Sequence, residues 1–264
     1  MRVASFLVAS LMVALNSWCS HAAPRKDPSL VRISRQALRQ LIQRTPVESP
    51  EHSKLISRAA VSHLDQAAYE EYTLVWQKQR NNAYANLFRG LAAQRYWEVA
   101  EHEVEERVPY RRPPELDELR QIAGSSLAKA AVLERNARTL TAYGFWLWRW
   151  GQNLKRGMAL MQEAVSLAPK YPGIHIKLGE AYSNATPGVY RPRRAEEELR
   201  LALELAPSTA APHFLLMRLY EQEKRYKEAE RELLTYLALA PPQTAQEPWV
   251  KDYQARIATG LGKQ

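Results

Sequence analysis

The chain has 264 residues, 46% of them apolar and 25% charged, with 16 Pro, 10 Gly and one cysteine, Cys19. These proportions exclude disordered, collagenous, multi-span membrane and disulfide-scaffold classes, and so little glycine argues against a Gly-rich phosphate loop. The formal charge is +9, from 37 Lys and Arg against 28 Asp and Glu.

Residues 1–22 read as an export signal. Met1-Arg2 gives a positive end, Val3 to Leu15 is a run of 13 uncharged residues, and Ser20-His21-Ala22 offers small side chains two residues apart before Ala23. Charge, a short apolar run and a small-residue exit are the pattern of a cleaved secretory leader. The run falls short of the about 20 residues that cross a bilayer. Trp18 before Cys19 argues against lipidation, which needs a small residue there. Cleavage removes Arg2 and Cys19, leaving a cysteine-free chain of charge +8 with no transmembrane span. Such a chain suits an oxidising compartment. The expected location is periplasmic or secreted.

Residues 23–64 form an N-terminal helical segment, in which Ile33, Leu38, Leu41 and Ile42 make an apolar stripe that Thr45-Pro46 ends. Within 65–137, Ala68, Tyr72 and Val75 mark one helix and Gly90 sits in the next. Val108-Pro109-Tyr110-Arg111-Arg112-Pro113-Pro114 breaks helix and marks an insertion. Glu98, Glu101, Glu103, Glu105 and Glu106 spread around a helix axis, which predicts an exposed charged helix end.

A repeat then emerges. Small, large and usually small residues recur at i, i+4 and i+7 in Ala123-Leu127-Ala130, Gly157-Met161-Ala164, Ala195-Leu199-Ala202 and Ala229-Leu233-Tyr236. The last three lead to Leu167-Ala168-Pro169, Leu205-Ala206-Pro207 and Leu239-Ala240-Pro241. The steps from Ala123 to Gly157, Ala195 and Ala229 are 34, 38 and 34 residues, so the middle one carries four extra. Positions i, i+4 and i+7 share one helical face, where small residues let a neighbouring helix approach. Proline then ends the helix. A preceding helix supplies the facing surface: Phe145 with Trp148, Leu178-Gly179 with Tyr182, and Leu216 with Leu219-Tyr220.

This pattern resembles the tetratricopeptide repeat (TPR), a 34-residue helix–turn–helix unit. Residues 172–209 carry it best, through Leu178, Gly179, Tyr182, Ala195, Leu199, Ala202 and Pro207. Units 138–171 and 210–243 match through their second helices, and Pro248-Trp249-Val250, Tyr253 and Ile257 make 244–264 a capping helix and tail. The resemblance implies an all-α, TPR-type α-solenoid of stacked antiparallel helix pairs. It also implies a binding groove lined by each first helix: Thr139, Ala142, Trp146, Arg149 and Trp150; Gly173, Ile176, Glu180, Ser183 and Asn184; Ala211, Phe214, Arg218, Glu221 and Gln222. Trp146, Arg149, Trp150, Glu180, Asn184, Phe214, Arg218 and Gln222 are the residues expected to carry the contacts.

Trp146 and Trp150 fall on one face beside Arg149, and two explanations stay open: packing under the N-terminal segment, or a platform for a peptide or sugar. The Lys/Asn/Arg set that grips a C-terminal carboxylate in some TPR domains is absent, since those positions hold Ala142, Trp146, Lys177, Ala211 and Leu215. Two loops, with Arg111 and Arg112 and with Arg191, Arg193 and Arg194, form a candidate basic edge for an anionic glycan or lipid. Asn184-Ala185-Thr186 is a glycosylation sequon.

No catalytic motif appears: no P-loop, dinucleotide fingerprint or nucleophile elbow, and no paired histidines at metal spacing. His175 and His213 hold equivalent repeat positions, which packing explains. The expected function is an exported, non-catalytic scaffold for a protein or peptide partner, without cofactor or metal, and without nucleic acid. The alternatives are an envelope-associated adaptor that uses the basic edge, and a carboxylate hydrolase of envelope polymers.

Overall fold

The computed structural model describes residues 33–105, 114–151, 153–184, 188–240 and 242–262. The expected leader, Arg111, Arg112 and the last two residues of the sequon lie outside them. Every regular element among the described residues is helical. In chain order these are α1 (Arg35–Arg44), α2 (Glu51–Val61), α3 (Asp65–Lys78), α4 (Ala83–Glu105), α5 (Pro114–Leu133), α6 (Ala137–Arg149), α7 (Leu154–Leu167), α8 (Pro172–Tyr182), α9 (Pro192–Leu205), α10 (Ala210–Gln222), α11 (Tyr226–Leu239) and α12 (Pro248–Leu261). A 3₁₀ turn at Pro242–Gln246 precedes α12. No described helix is long and apolar enough to cross a membrane.

Local chemistry sets the helix starts. Ser34 Oγ accepts the Ala37 amide at α1, Asn82 Oδ1 the Tyr84 and Ala85 amides at α4, and Asn153 Oδ1 the Arg156 amide at α7. At α6, Asn136 and Thr139 form a reciprocal capping box. α8, α9 and α12 instead open on proline, whose missing N–H is no loss in the first turn. The expected leucines end α7, α9 and α11.

The chain falls into two compact units, one ending at Ala168 and the other beginning at Pro169. In the first, α4 pairs with α5 and α6 with α7, while α1, α2 and α3 pack at the N-terminal end. In the second, α8 pairs with α9 and α10 with α11, and α12 closes the C-terminal end. The fold is therefore all-α, built of antiparallel helix pairs of the tetratricopeptide type with a C-terminal capping helix. Ala68 and Ala123 lie 55 residues apart, 21 more than one 34-residue repeat, and the excess is taken up partly by α4 itself, which runs for 23 residues.

What joins each pair is close approach at small residues. A Cβ on Gly90 would lie 2.8 Å from the Leu127 side chain, and one on Gly179 would lie 2.5 Å from that of Leu199. Between α6 and α7 the backbones themselves meet: a Cβ on Gly157 would come within 2.6 Å of the Gly144 carbonyl oxygen and of the Trp148 amide. Phe145 and Trp148 are buried as the sequence suggests, but the close approach is made by Gly144, one position earlier. Ala123, Ala130, Ala164, Ala195, Ala202 and Ala229 are all sealed.

In the last unit, Tyr236 stands where a small residue is usual. Its ring lies 5.5 Å from Phe214 and 6.0 Å from Trp249, so it fills the joint beneath the capping helix. Among the histidines, His175 bridges Glu198 and the Pro169 carbonyl at 2.7 and 2.8 Å, and His213 meets Glu232 at 2.6 Å. Burial lowers the His175 pKa, but these acceptors raise it further, for a net increase.

Gly157→Ala tests the backbone contact. Alanine in a helix interior normally gains about 1 kcal/mol over glycine. Here steric overlap is expected to reverse the sign and cost about 1–3 kcal/mol, whereas Gly262→Ala, with its nearest contact at 3.6 Å, is expected to be near neutral. Thermal unfolding of both variants checks this, and an unchanged or raised midpoint for Gly157→Ala would refute it.

Candidate functional site

The aromatic end of α6 belongs to the first unit. Trp146 is half-buried and packs against the N-terminal cluster around Leu38, Tyr72, Phe88 and Leu127. Two glycines make room for its indole: a Cβ on Gly124 of α5 would lie 2.5 Å from the ring, and one on Gly151 would lie 2.7 Å away. Trp150 is also half-buried. Its ring meets Trp97 of α4 edge-on at 5.7 Å and Phe145 at 6.0 Å, and its carbonyl accepts from Arg120 of α5. The Arg149 guanidinium lies 5.8 Å from the Trp150 ring and that of Arg120 lies 5.7 Å from Trp97. Both tryptophans are thus anchored against α4 and α5 and only half-buried as residues, the Trp146 indole N–H being sealed from solvent without an acceptor among the described residues.

Trp97 and Arg120 are parts of this site that sequence reasoning missed. A signal existed for Trp97, which lies two turns beyond Gly90 on the same face of α4. Arg120 had none, because the insertion hides the register between α4 and α5.

The acidic stretch of α4 corrects an expectation. Glu98 is buried instead of lying on an exposed helix end: its carboxylate accepts from Gln94 at 3.0 Å and lies 3.7 Å from the Arg95 guanidinium. Arg95, only 3% exposed, donates to Asp65 of α3 at 3.0 Å. Burial raises the Asp65 pKa from its ordinary value although Arg95 opposes the shift. A helix packed against α4 converts a charged face into an internal ion-pair cluster, which periodicity within α4 cannot reveal. The side chains of Glu103, Glu105 and Glu106 lie outside the described set. Both ring nitrogens of His52 are likewise engaged, by Tyr72 and the Pro46 carbonyl at 3.1 Å each, and burial lowers its pKa. His52 and His175 therefore offer no ring nitrogen to a substrate.

In the second unit the candidate groove residues differ in role. Glu180 is buried and accepts from Lys177 at 3.2 Å. Asn184 is half-buried just past the end of α8, its backbone N–H donating to the Ala181 carbonyl. Phe214 is 1% exposed, covered by Trp249 and Tyr253 of the capping helix at 5.5 and 5.9 Å. Arg218 lies half-buried over the Phe214 ring at 5.9 Å and Gln222 is exposed.

Arg191, Arg193 and Arg194 are exposed at the start of α9 and form no ion pair with a described residue. Just beyond them, Glu196 accepts from the Tyr220 hydroxyl at 2.7 Å, from Arg200 at 2.9 Å and from Arg225 at 2.8 Å. Arg225 also lies 4.2 Å over the Tyr220 ring and reaches Glu228 at 3.0 Å. Burial raises the Glu196 pKa, but the donors from Arg225, Tyr220 and Arg200 together lower it to about 2.

No family model matches the chain, and no curated protein matches it in sequence. Among solved structures it is similar to YrrB, described as "a TPR protein with an unusual peptide-binding site", at 14% identity and a TM-score of 0.41, covering 79% of this chain and 94% of that one. It is also similar to the Cut9–Hcn1 hetero-tetramer of the APC/C, at 14% identity and a TM-score of 0.45, covering 85% of this chain and 46% of that one. Both likenesses are loose, so the fold assignment rests on the helix pairs themselves.

The Glu196 network makes a pH prediction. A carboxylate whose pKa is depressed on folding contributes stability that is complete above its unfolded value of 4.5 and is lost as pH falls toward about 2. The unfolding midpoint of Glu196→Gln should fall below that of the parent chain above pH 5, and the gap should close near pH 2. A gap independent of pH would contradict it.

Proposed function

We propose that the mature chain is an exported, non-catalytic scaffold that holds a protein or peptide partner against the end of α6. The observation carrying this reading is the pair Trp146 and Trp150, each held by packing yet only half-buried, with Arg149 beside Trp150. Preformed, partly exposed aromatics beside a cation give contact area with little ordering cost on binding, and such residues commonly dominate protein interfaces. Export is supported by the charge, apolar run and small-residue exit of residues 1–22.

A second reading is favoured by Arg191, Arg193 and Arg194, whose exposed charges have no described acidic partner and suit an anionic envelope surface. The hydrolase alternative gains nothing from the α3–α4 contact, where Asp65 of α3 and Glu98 of α4 are committed to Arg95.

Capture of partners by the mature chain from its own envelope fraction separates the two readings. The proposal expects a specific protein, retained at moderate salt and lost with Trp146→Ala/Trp150→Ala when circular dichroism shows the fold intact. Capture that collapses with salt and with Arg191→Ser/Arg193→Ser/Arg194→Ser, but survives the tryptophan changes, would overturn it in favour of the basic edge.

Export has its own check. Mass spectrometry of the chain from its native source should find Ala23 as the first residue, and an intact Met1 in the cytosol would contradict export.

A further inference from the structure

A second constellation lies in the first unit, at the turn between α3 and α4. Trp76, in the last turn of α3, has the Arg89 guanidinium 3.9 Å from its ring centroid and that of Arg80 5.1 Å away. Arg89 extends to Ser126 of α5 at 3.3 Å, and Lys129, one turn further along α5, donates to Asn81 at 3.3 Å. Asn81 adjoins Arg80, so the contacts close a ring: Trp76, Arg89, Ser126, Lys129, Asn81, Arg80.

The frame is rigid. Asn86, 1% exposed, accepts the Trp76 indole N–H at 3.0 Å and donates to the Arg80 and Asn82 carbonyls at 2.9 and 2.8 Å. One buried amide thus fixes both the indole and the turn that carries Arg80.

The charge is one-sided. Arg80, Arg89 and Lys129 form no ion pair with a described residue, whereas Arg39 and Arg95 in the same unit are paired with Glu71 and Asp65. Among the described residues, the carboxylate bonded to this turn is that of Glu48, and it is held by Asn82 at 3.1 Å. Arg89 is half-buried, and its Nε is sealed from solvent with no hydrogen-bond acceptor. A half-buried guanidinium without a carboxylate is costly unless an anion answers it.

We infer that Arg80, Arg89 and Lys129 form a binding site for a phosphate group, with Ser126 and Asn81 as neutral donors. Two guanidinium groups and an ammonium supply three positive charges and more donors than a carboxylate can accept, and that set suits the several oxygens of a tetrahedral phosphate oxyanion. Stacking on Trp76 keeps the Arg89 plane in place before the anion arrives. The site is independent of α6 and stands whether or not that surface holds a partner.

Isothermal titration of the mature chain with inorganic phosphate, and flotation with vesicles of phosphatidylglycerol or of phosphatidylcholine alone, test the site and distinguish free phosphate from a lipid headgroup. Arg89→Gln and Arg80→Gln, the latter on an exposed side chain that should not disturb folding, are each expected to weaken binding about tenfold, the scale of one charge-assisted hydrogen bond. Saturable phosphate binding with that loss supports the site with a free phosphate ligand. Flotation only with phosphatidylglycerol, lost in Arg80→Gln, supports it with a headgroup as source. The inference is overturned if the parent chain binds neither probe, or if Arg80→Gln and Arg89→Gln bind as the parent does. It is equally overturned if vesicle binding disappears with Arg191→Ser/Arg193→Ser/Arg194→Ser and not with Arg80→Gln.

Discussion

Helix approach at small residues governs the rest of this protein. Where Gly144 and Gly157 let the α6 and α7 backbones touch, the large side chains flanking the contact have only a few places to go. Phe145 and Trp148 turn into the core, and Trp146 and Trp150 turn toward α5 and α4. The aromatic surface of α6 is therefore a consequence of the pairing and not an addition to it. Core packing at this density leaves little freedom to move one ring without moving its neighbours.

The same constraint explains which candidate residues remain accessible. At the C-terminal end, α12 takes the place a further first helix would fill, and its Trp249 and Tyr253 rings cover Phe214. Phe214 is consumed in closing the end of the array, as terminal helices of repeat proteins do to shield an apolar face. In the first unit Trp146 packs against the N-terminal cluster and Trp150 against Trp97, and both are half-buried. Charge follows a similar division. Carboxylates and cations that meet across helices, such as Asp65 with Arg95 and Glu196 with Arg225, tie neighbouring elements together, whereas Arg80, Arg89, Arg191, Arg193 and Arg194 have no such partner among the described residues.

Much of the helical architecture was legible in the sequence because the repeat writes its packing into fixed offsets. Ala195, Leu199 and Ala202 need only helical periodicity to be placed on one face, and each Leu-Ala-Pro ending marks where that helix stops. What lay beyond reach depends on contacts between elements without a fixed offset. The burial of Glu98 needs Arg95 and α3, and the covering of Phe214 needs the approach angle of α12. The one-residue shift from Phe145 to Gly144 needs the length of the turn between α6 and α7, and the long α4 obscured how Trp97 and Arg120 come to frame Trp150. The offsets specify the pairs, while the faces the pairs present depend on turns and ends.

The central proposal, that the end of α6 is the surface on which a partner docks, is tested most directly by hydrogen–deuterium exchange on residues 23–264 alone and in complex with the partner they capture. The account predicts slowed exchange concentrated at residues 145–151 and in the adjoining parts of α4 and α5, with the second unit's α9 unchanged. Protection confined to α9 or to other helices, with 145–151 exchanging as in the free chain, would contradict it.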